Sequence, residues 1–221
     1  MVRTDEQIKK DIVDHLYWDG RVDASNVKVE VSGGEVVLKG KVSNFISRKS
    51  AEDDAWSIPE VLGVDNQLVI EYPDRITIPS DDEIKTNIES ILLWNPYLDE
   101  ANIQVSAEDG IVKLEGSVNS YWKKVRSEDI VQNMLGVIEV VNELAVVPEK
   151  DVWDQVIAED IIEAFKRNMY VDPEALNIEV EEGNVTISGG VSHWVAYRAA
   201  IDIVRNTAGV RNIVNNLYIK K

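Results

Sequence analysis

Two histidines and several adjacent carboxylates are the groups in this sequence that could carry catalysis or bind a metal ion. His15 stands beside Leu16 in an apolar helical pattern, so we expect a half-buried structural role for it. His193 follows Ser192 directly, and neighbours in sequence cannot form a nucleophile–base pair without help from distant residues. Carboxylate pairs such as Asp53-Asp54 are typical of solvated surface in a chain with 40 acidic residues. We therefore predict no catalytic residue, no metal site and no cofactor.

Aromatic residues beside basic residues form a second chemical pattern, which occurs three times. An aromatic ring that tolerates partial burial, next to a cation that can pair with phosphate, suits contact with lipid headgroups. The same rings could instead pack on a sheet edge while the bases are solvated, and both interpretations stay open. The candidate binding residues are Phe45, Arg48 and Lys49; Tyr121, Trp122, Lys123, Lys124 and Arg126; and Trp194 and Arg198.

Tryptophan also recurs at the end of the first predicted helix, as Trp18 and Trp94. We expect this pair to pack within or between repeats, since an ordered array needs such contacts. Trp122 and Trp194 are therefore the better candidates for an exposed functional role.

Charge limits the choice of ligand. The net charge of −17 disfavours nucleic acid, whose phosphates would be repelled. It also weakens long-range attraction to anionic bilayers, and residues 77–149 alone hold five Lys and Arg against 14 Asp and Glu. A local basic cluster can bind an anionic surface only if it faces away from these acids.

One sequence unit positions all of these residues, because it recurs three times along the chain. Its centre is a glycine within alternating apolar residues, and Gly40, Gly116 and Gly189 are 76 and 73 residues apart. Apolar residues four apart, such as Ile8, Ile12 and Leu16, precede the glycine by a fixed distance and predict a helix. Such threefold recurrence is typical of an array of similar modules.

Each unit is predicted to be a small α+β module with the order α-β-β-α-β. Two strands joined by a tight turn form a hairpin, a second helix covers about residues 46–57, 122–134 and 195–206, and a third strand ends the unit. Two helices must cover each three-stranded sheet, because so small a sheet is not stable alone. The predicted domains are residues 1–74, 78–149 and 150–221, separated by proline-bearing joints.

The central glycine of each unit is predicted to have a structural role. Val36, Leu38 and Val42 alternate towards the core together with Gly40, whose missing side chain lets a helix or a neighbouring backbone approach closely. We therefore expect a valine at Gly116 to destabilise the second unit by overpacking beside the second helix.

Composition adds a prediction about location. The chain has no cysteine and no apolar run as long as a membrane span. Its first residues lead into a charged amphipathic helix without a signal-peptide pattern. We expect a cytoplasmic protein without a transmembrane segment, or a periplasmic one if a leader has been removed.

The repeated pattern resembles the BON domain family, which is named after bacterial osmotically induced and nodulation-related proteins. The second unit matches most fully, from Asp109-Gly110 through Gly116-Ser117-Val118 to Gly136-Val137 and Val140-Val141-Asn142. The first unit departs from the pattern, since Glu60 stands where the others have Gly136 and Gly209, and the turn before its last strand is therefore uncertain. The family glycines are Gly34, Gly40, Gly110, Gly116, Gly136, Gly183, Gly189 and Gly209.

The resemblance implies a binding module without catalytic residues. It implies weak association with phospholipid membranes in osmotic or envelope stress, with a protein-interaction or chaperone-like role and potassium binding as alternatives. The expected partner is a phospholipid surface or an unidentified protein, and the lipid, the partner and the oligomeric state are left open.

Overall fold

The computed structural model describes residues 3–98 and 102–220, which form two compact units. One unit contains residues 3–80 together with residues 135–138. The other contains the described residues of 81–134 and 139–220.

Six α-helices occur among the described residues, two in each of three repeated modules. They are α1 (Asp5–Trp18), α2 (Phe45–Ser57), α3 (Asp81–Leu93), α4 (Tyr121–Gln132), α5 (Asp154–Arg167) and α6 (Trp194–Asn206). The first helix begins with the capping box in which the hydroxyl of Thr4 accepts a hydrogen bond from the backbone N–H of Gln7.

Each module has one small mixed sheet, whose first two strands form a hairpin. The strands are β1 (Val27–Ser32), β2 (Glu35–Val42) and β3 (Gly63–Ile70) in the first module; β4 (Ile103–Glu108), β5 (Ile111–Val118), β6 (Glu139–Asn142) and β7 (Ala145–Val146) in the second; and β8 (Leu176–Glu181), β9 (Asn184–Val191) and β10 (Asn212–Ile219) in the third. The predicted α+β class and the three α-β-β-α-β modules are thereby confirmed.

The second strand of each hairpin is the centre of its sheet. In the first module β2 pairs antiparallel with β1 and parallel with β3, so Leu38 lies opposite Val29 on one side and Asn66 on the other. The third module has the same order. In the second module the third strand is divided into β6 and β7, which both pair parallel with β5.

The core of each module lies between its helices and one face of its sheet. In the first module Ile8, Ile12 and Leu16 of α1 pack in one buried cluster with Val36 and Leu38 of β2. Alternation along β2 puts Lys39 and Lys41 on the opposite face. Corresponding isoleucines of α3 and α5 are equally buried.

The central glycines allow a close approach of backbone, not of a helix. A Cβ atom on Gly116 would lie 1.8 Å from the carbonyl oxygen of Asn102, and one on Gly40 would lie 1.9 Å from that of Asn26. Both glycines also have positive φ, at 112° and 119°. The prediction of overpacking beside the second helix therefore named the wrong neighbour, since the close contact is the chain just before the first strand.

The hairpin turns share a conformation in which both central residues have positive φ. In the second module these residues are Asp109 at 51° and Gly110 at 75°. Turns of this kind match the twist of the two strands that they join. Glu60 also has positive φ, at 73°, so the first module keeps the turn that its missing glycine had made uncertain.

Candidate functional site

The ends of the first helices expose large apolar side chains. Trp18 is 82% exposed and Trp94 is 83% exposed. Our expectation that this pair packs within or between repeats is therefore wrong. Apolar periodicity places Leu16 and Leu92 in the core, and the tryptophans two residues later lie beyond the buried face of the helix.

In the second module this exposed apolar surface adjoins the start of α4. The ring of Trp122 contacts that of Tyr97 edge to face, with the centroids 6.2 Å apart. Tyr97 is 64% exposed and Trp122 is 38% exposed. Leu93 and Trp94 precede Tyr97 and are exposed as well. We call Leu93, Trp94, Tyr97 and Trp122 the aromatic patch.

Three basic side chains follow Trp122 on the first turns of α4, and Arg126, four residues on, shares its face of the helix. Lys123 and Lys124 are half-buried, and Arg126 is exposed. None of the three forms an ion pair with any residue that the structure describes, whereas Lys113 on β5 is paired with Glu115 and Glu143.

The helix start is fixed by Ser120, whose hydroxyl accepts a hydrogen bond from the backbone N–H of Lys123. Asn142 donates to the carbonyl of Lys124, which ties the third strand to the same turn. The basic cluster is therefore held on ordered backbone and keeps its charge available.

Tyr121, the first residue of α4, has a packing role. Its ring packs against the core of the third module, within the same compact unit. This burial raises the pKa of the Tyr121 hydroxyl. Tyr121 thus joins α4 to the third module, while its neighbour Trp122 is directed to the aromatic patch.

The first module has the same residue types but a different arrangement. Phe45 packs on the core of the module, and the guanidinium carbon of Arg48 lies 6.0 Å from the centre of its ring. Arg48 also donates to the carbonyl of Asn66, and the amine of Lys49 lies 3.9 Å from carboxylate oxygens of Glu52 and Asp53. Internal contacts therefore engage all three of its candidate residues.

The third module holds its candidates along a groove between α5 and α6. Trp194 stacks on Tyr197 with the ring centroids 4.9 Å apart. Trp194 and Arg198 line an open groove of about 690 Å³ together with Tyr170, Val195 and Asp202. The stacked rings and Arg198 lie on the first turns of α6, and Asp202 follows Arg198 by one helical turn.

The histidines have structural contacts. His15 is exposed, not half-buried as expected, and its Nδ1 lies 3.3 Å from the hydroxyl of Ser57. His193 accepts a hydrogen bond from the backbone N–H of Ala196. Within the part of the chain that the structure describes, no group of three or more His, Cys, Asp or Glu residues is arranged to hold a metal ion.

Sequence reasoning missed the contribution of Trp94 and Tyr97 to the candidate site. Their signal was available, because both follow the last buried residue of α3 and so continue beyond the core-facing stripe.

No helix in residues 3–98 or 102–220 has both the length and the apolar character needed to cross a bilayer.

The arrangement of two helices on a hairpin-based mixed sheet, repeated three times, defines a class of tandem α+β modules. The model of one family, the BON domain, matches this chain at residues 4–72, 80–148 and 154–221. The chain therefore belongs to the BON domain family.

Two distant relatives and one solved structure are similar to this chain. The osmotically-inducible protein Y of Escherichia coli is 24% identical over 62% of this chain and 68% of its own length. An uncharacterized protein from the gshII 5′ region of Anaplasma centrale is 27% identical over 53% of this chain and 80% of its own. A structure of CdsD, a structural protein of the type III secretion system of Chlamydia trachomatis, aligns over 97% of this chain and 92% of its own at 14% identity, with a TM-score of 0.27. That score is too low to carry a conclusion about this chain.

Proposed function

We propose that this protein is a non-catalytic binding or scaffold protein of a stress response, which associates weakly with phospholipid membrane surfaces through its second module. The observation that carries the proposal is the aromatic patch with Trp94 83% exposed, together with Lys123, Lys124 and Arg126 on α4, which have no ion pair among the described residues. Membership of the BON family and the name of the Escherichia coli relative support the connection with osmotic stress.

Two forces would contribute to such an association. Aromatic rings are stable at the boundary between headgroups and acyl chains. Each base near an anionic surface adds up to about 1 kcal/mol. The acidic balance of the second module opposes the second force, so binding is expected to be weak and to fall with added salt.

Co-sedimentation with liposomes tests this proposal. Anionic and neutral vesicles should be compared over a salt series for the wild type and for Lys123→Ala/Lys124→Ala/Arg126→Ala. We expect the triple variant to lose on the order of a hundredfold in affinity for anionic vesicles at low salt. The matched control is Arg48→Ala/Lys49→Ala, whose bases already have internal partners, and it should bind like the wild type. Equal binding of the triple variant and the wild type would refute the proposal.

A protein-interaction role is the second candidate, and the edge strand β10 favours it. All eight residues of β10, Asn212–Ile219, are uncharged, in a chain with 40 acidic residues. An open, uncharged strand edge can pair with an extended peptide of a partner. A pull-down from lysate that depends on β10 while liposome binding is absent would favour this role.

We further propose a cytoplasmic location, or a periplasmic one if a longer precursor carries a leader. Cell fractionation with compartment markers would distinguish the two.

A further inference from the structure

His193 is the N-cap residue of α6. It has extended backbone angles, and its Nδ1 accepts a hydrogen bond from the backbone N–H of Ala196 at 3.2 Å. A nitrogen that accepts carries no hydrogen, so the imidazole hydrogen of the capping form must be on Nε2. The cap exists only while His193 is neutral.

The other two modules cap the same helix with side chains that do not titrate near neutral pH. In the first module Asn44 Oδ1 accepts from the backbone N–H of Ser47 at 2.8 Å. In the second, the hydroxyl of Ser120 accepts from the backbone N–H of Lys123 at 3.4 Å. The third module thus has an imidazole as the cap of its second helix, where the other two modules have an amide or a hydroxyl.

Protonation of His193 would remove the cap in two ways. The imidazolium has two N–H donors and no lone pair for the N–H of Ala196. It would also put a positive charge at the positive end of the helix dipole. Histidine is the side chain whose ordinary change of charge falls between pH 5 and pH 8.

The surroundings of His193 offer little compensation for a positive charge. The ring of Tyr170, from the segment after α5, faces the imidazole at 6.4 Å between centroids. The last turn of α5 carries Lys166 and Arg167, and β9 has no charged residue. The segment that holds Tyr170 continues with Asp172 and Glu174, and the carboxylate of Asp172 accepts from the backbone N–H of Glu174. On α6 itself the charged residues are Arg198, Asp202 and Arg205. No carboxylate among the described residues forms an ion pair with His193.

We propose that His193 is a pH-sensitive cap, which releases the first turn of α6 when the protein is acidified. This turn carries Trp194 and Val195, which line the groove between α5 and α6. Acidification would therefore loosen one wall of that groove in the third module while the second-helix caps of the first and second modules persist. The proposal does not depend on lipid binding.

Amide hydrogen exchange of the full-length, isotope-labelled protein at pH 7.5 and pH 5.0 tests the cap. After correction for the intrinsic rate, protection of the Ala196 amide should fall about fivefold at the lower pH, the loss expected for one cap. Protection of the equivalent Ser47 amide should not change. The variant His193→Asn, which copies the cap of the first module, should hold the protection of Ala196 constant between the two pH values.

Two results of the exchange experiment would overturn the proposal. One is constant protection of Ala196 in the wild type, and the other is an equal loss in the wild type and in His193→Asn. If His193→Asn does not fold, His193→Ser provides the same comparison with the cap of the second module. The pH-dependent chemical shift of the Ala196 amide in the wild type is a readout that needs no variant, and an unchanged shift would also contradict the proposal.

Discussion

Asp154 and Gly183 are linked by a hydrogen bond that joins the start of a helix to the tip of a hairpin. The two carboxylate oxygens of Asp154 accept from the backbone N–H groups of Glu182 and Gly183, each at 2.8 Å. Asp81 makes the same pair of contacts to residues 109 and 110, and Asp5 makes them to residues 33 and 34. In all three modules one carboxylate thus binds both amides of a left-handed turn, and it also lies in the first turn of a helix, where negative charge is favoured.

Replacing Asp154 by alanine should destabilise the third module. Two charge-assisted hydrogen bonds are lost and a partly buried amide is left without its acceptor, so we expect a loss of about 1–3 kcal/mol in the free energy of unfolding. Urea unfolding followed by circular dichroism measures the loss. The control is Asp160→Ala, an exposed acid on the same helix. Equal stability of the two variants would show that the contact contributes little.

Gly116→Ala should destabilise the second module by more than the addition of one methyl group suggests. The added Cβ would lie 1.8 Å from a backbone carbonyl oxygen, at a φ of 112° that side chains rarely adopt. The strand must shift or break its pairing, and we expect a cost of about 2–4 kcal/mol. Gly20→Ala is the control, because nothing lies within 4 Å of its added Cβ. A melting temperature of Gly116→Ala within a degree of the wild type would contradict this reason for the glycine.

The fold could be predicted from the sequence because the same pattern occurs three times. The spacing of Ile8, Ile12 and Leu16 predicts one apolar face of a helix. Because the same spacing recurs in all three units, a chance pattern is excluded. The contacts of Asp5 to the hairpin tip could not be predicted, because 28 residues separate the bonded groups. An aspartate in the first turn of a helix is already explained by its favourable interaction with the helix dipole, so it does not indicate a distant partner.

The candidate site was only partly predictable. The basic residues of α4 were found by their neighbours in sequence, and they remain candidates. Trp94 was expected to pack, because an ordered array needs contacts between its repeats and a large apolar side chain can provide them. Exposure depends on where the helix ends relative to its core-facing stripe, and that is a property of the three-dimensional structure.

Asp54→Asn should stabilise the first module at neutral pH. Burial and the nearby carboxylate of Asp19 raise the pKa of Asp54, and its Oδ2 is buried without a donor among the described residues. A raised pKa means that the folded state holds the proton more tightly than the unfolded state does. The contribution of Asp54 to stability is therefore complete below about pH 4 and is lost as the pH rises through the folded pKa.

The stability difference between Asp54→Asn and the wild type should accordingly grow from acidic to neutral pH. Its size at pH 7 should be below about 1 kcal/mol, because Asp54 is partly solvated. Thermal unfolding at pH 4, 5.5 and 7 measures it, with Asp14→Asn on the exposed side of α1 as the control. A difference that shrinks with rising pH would contradict the assigned direction.

Limited proteolysis should cut between the predicted domains. Cleavage is expected near residues 73–79 and 148–151, which lie outside the helices and strands given above, and exposed irregular segments are preferred sites. Fragments that keep their circular dichroism would support domain boundaries at these joints. Cleavage scattered through residues 27–42 or 103–118 would contradict them.

Trp94→Ala should weaken membrane association in a way that charge removal does not. Inserting a ring that is 83% exposed into the headgroup region buries apolar area, and about 100 Å² would contribute about 2.5 kcal/mol. We therefore expect a loss of roughly 10- to 100-fold in affinity for neutral and anionic vesicles alike, with little dependence on salt. The triple basic variant should lose affinity only for anionic vesicles, and mainly at low salt, because screening weakens its contribution. The control is Trp153→Ala, which removes an equally exposed tryptophan, at 80%, from the start of α5 and outside the aromatic patch. If Trp153→Ala weakens binding as much as Trp94→Ala does, non-specific binding of exposed tryptophan to the vesicles explains the association. If neither variant differs from the wild type, the aromatic patch does not contact the membrane.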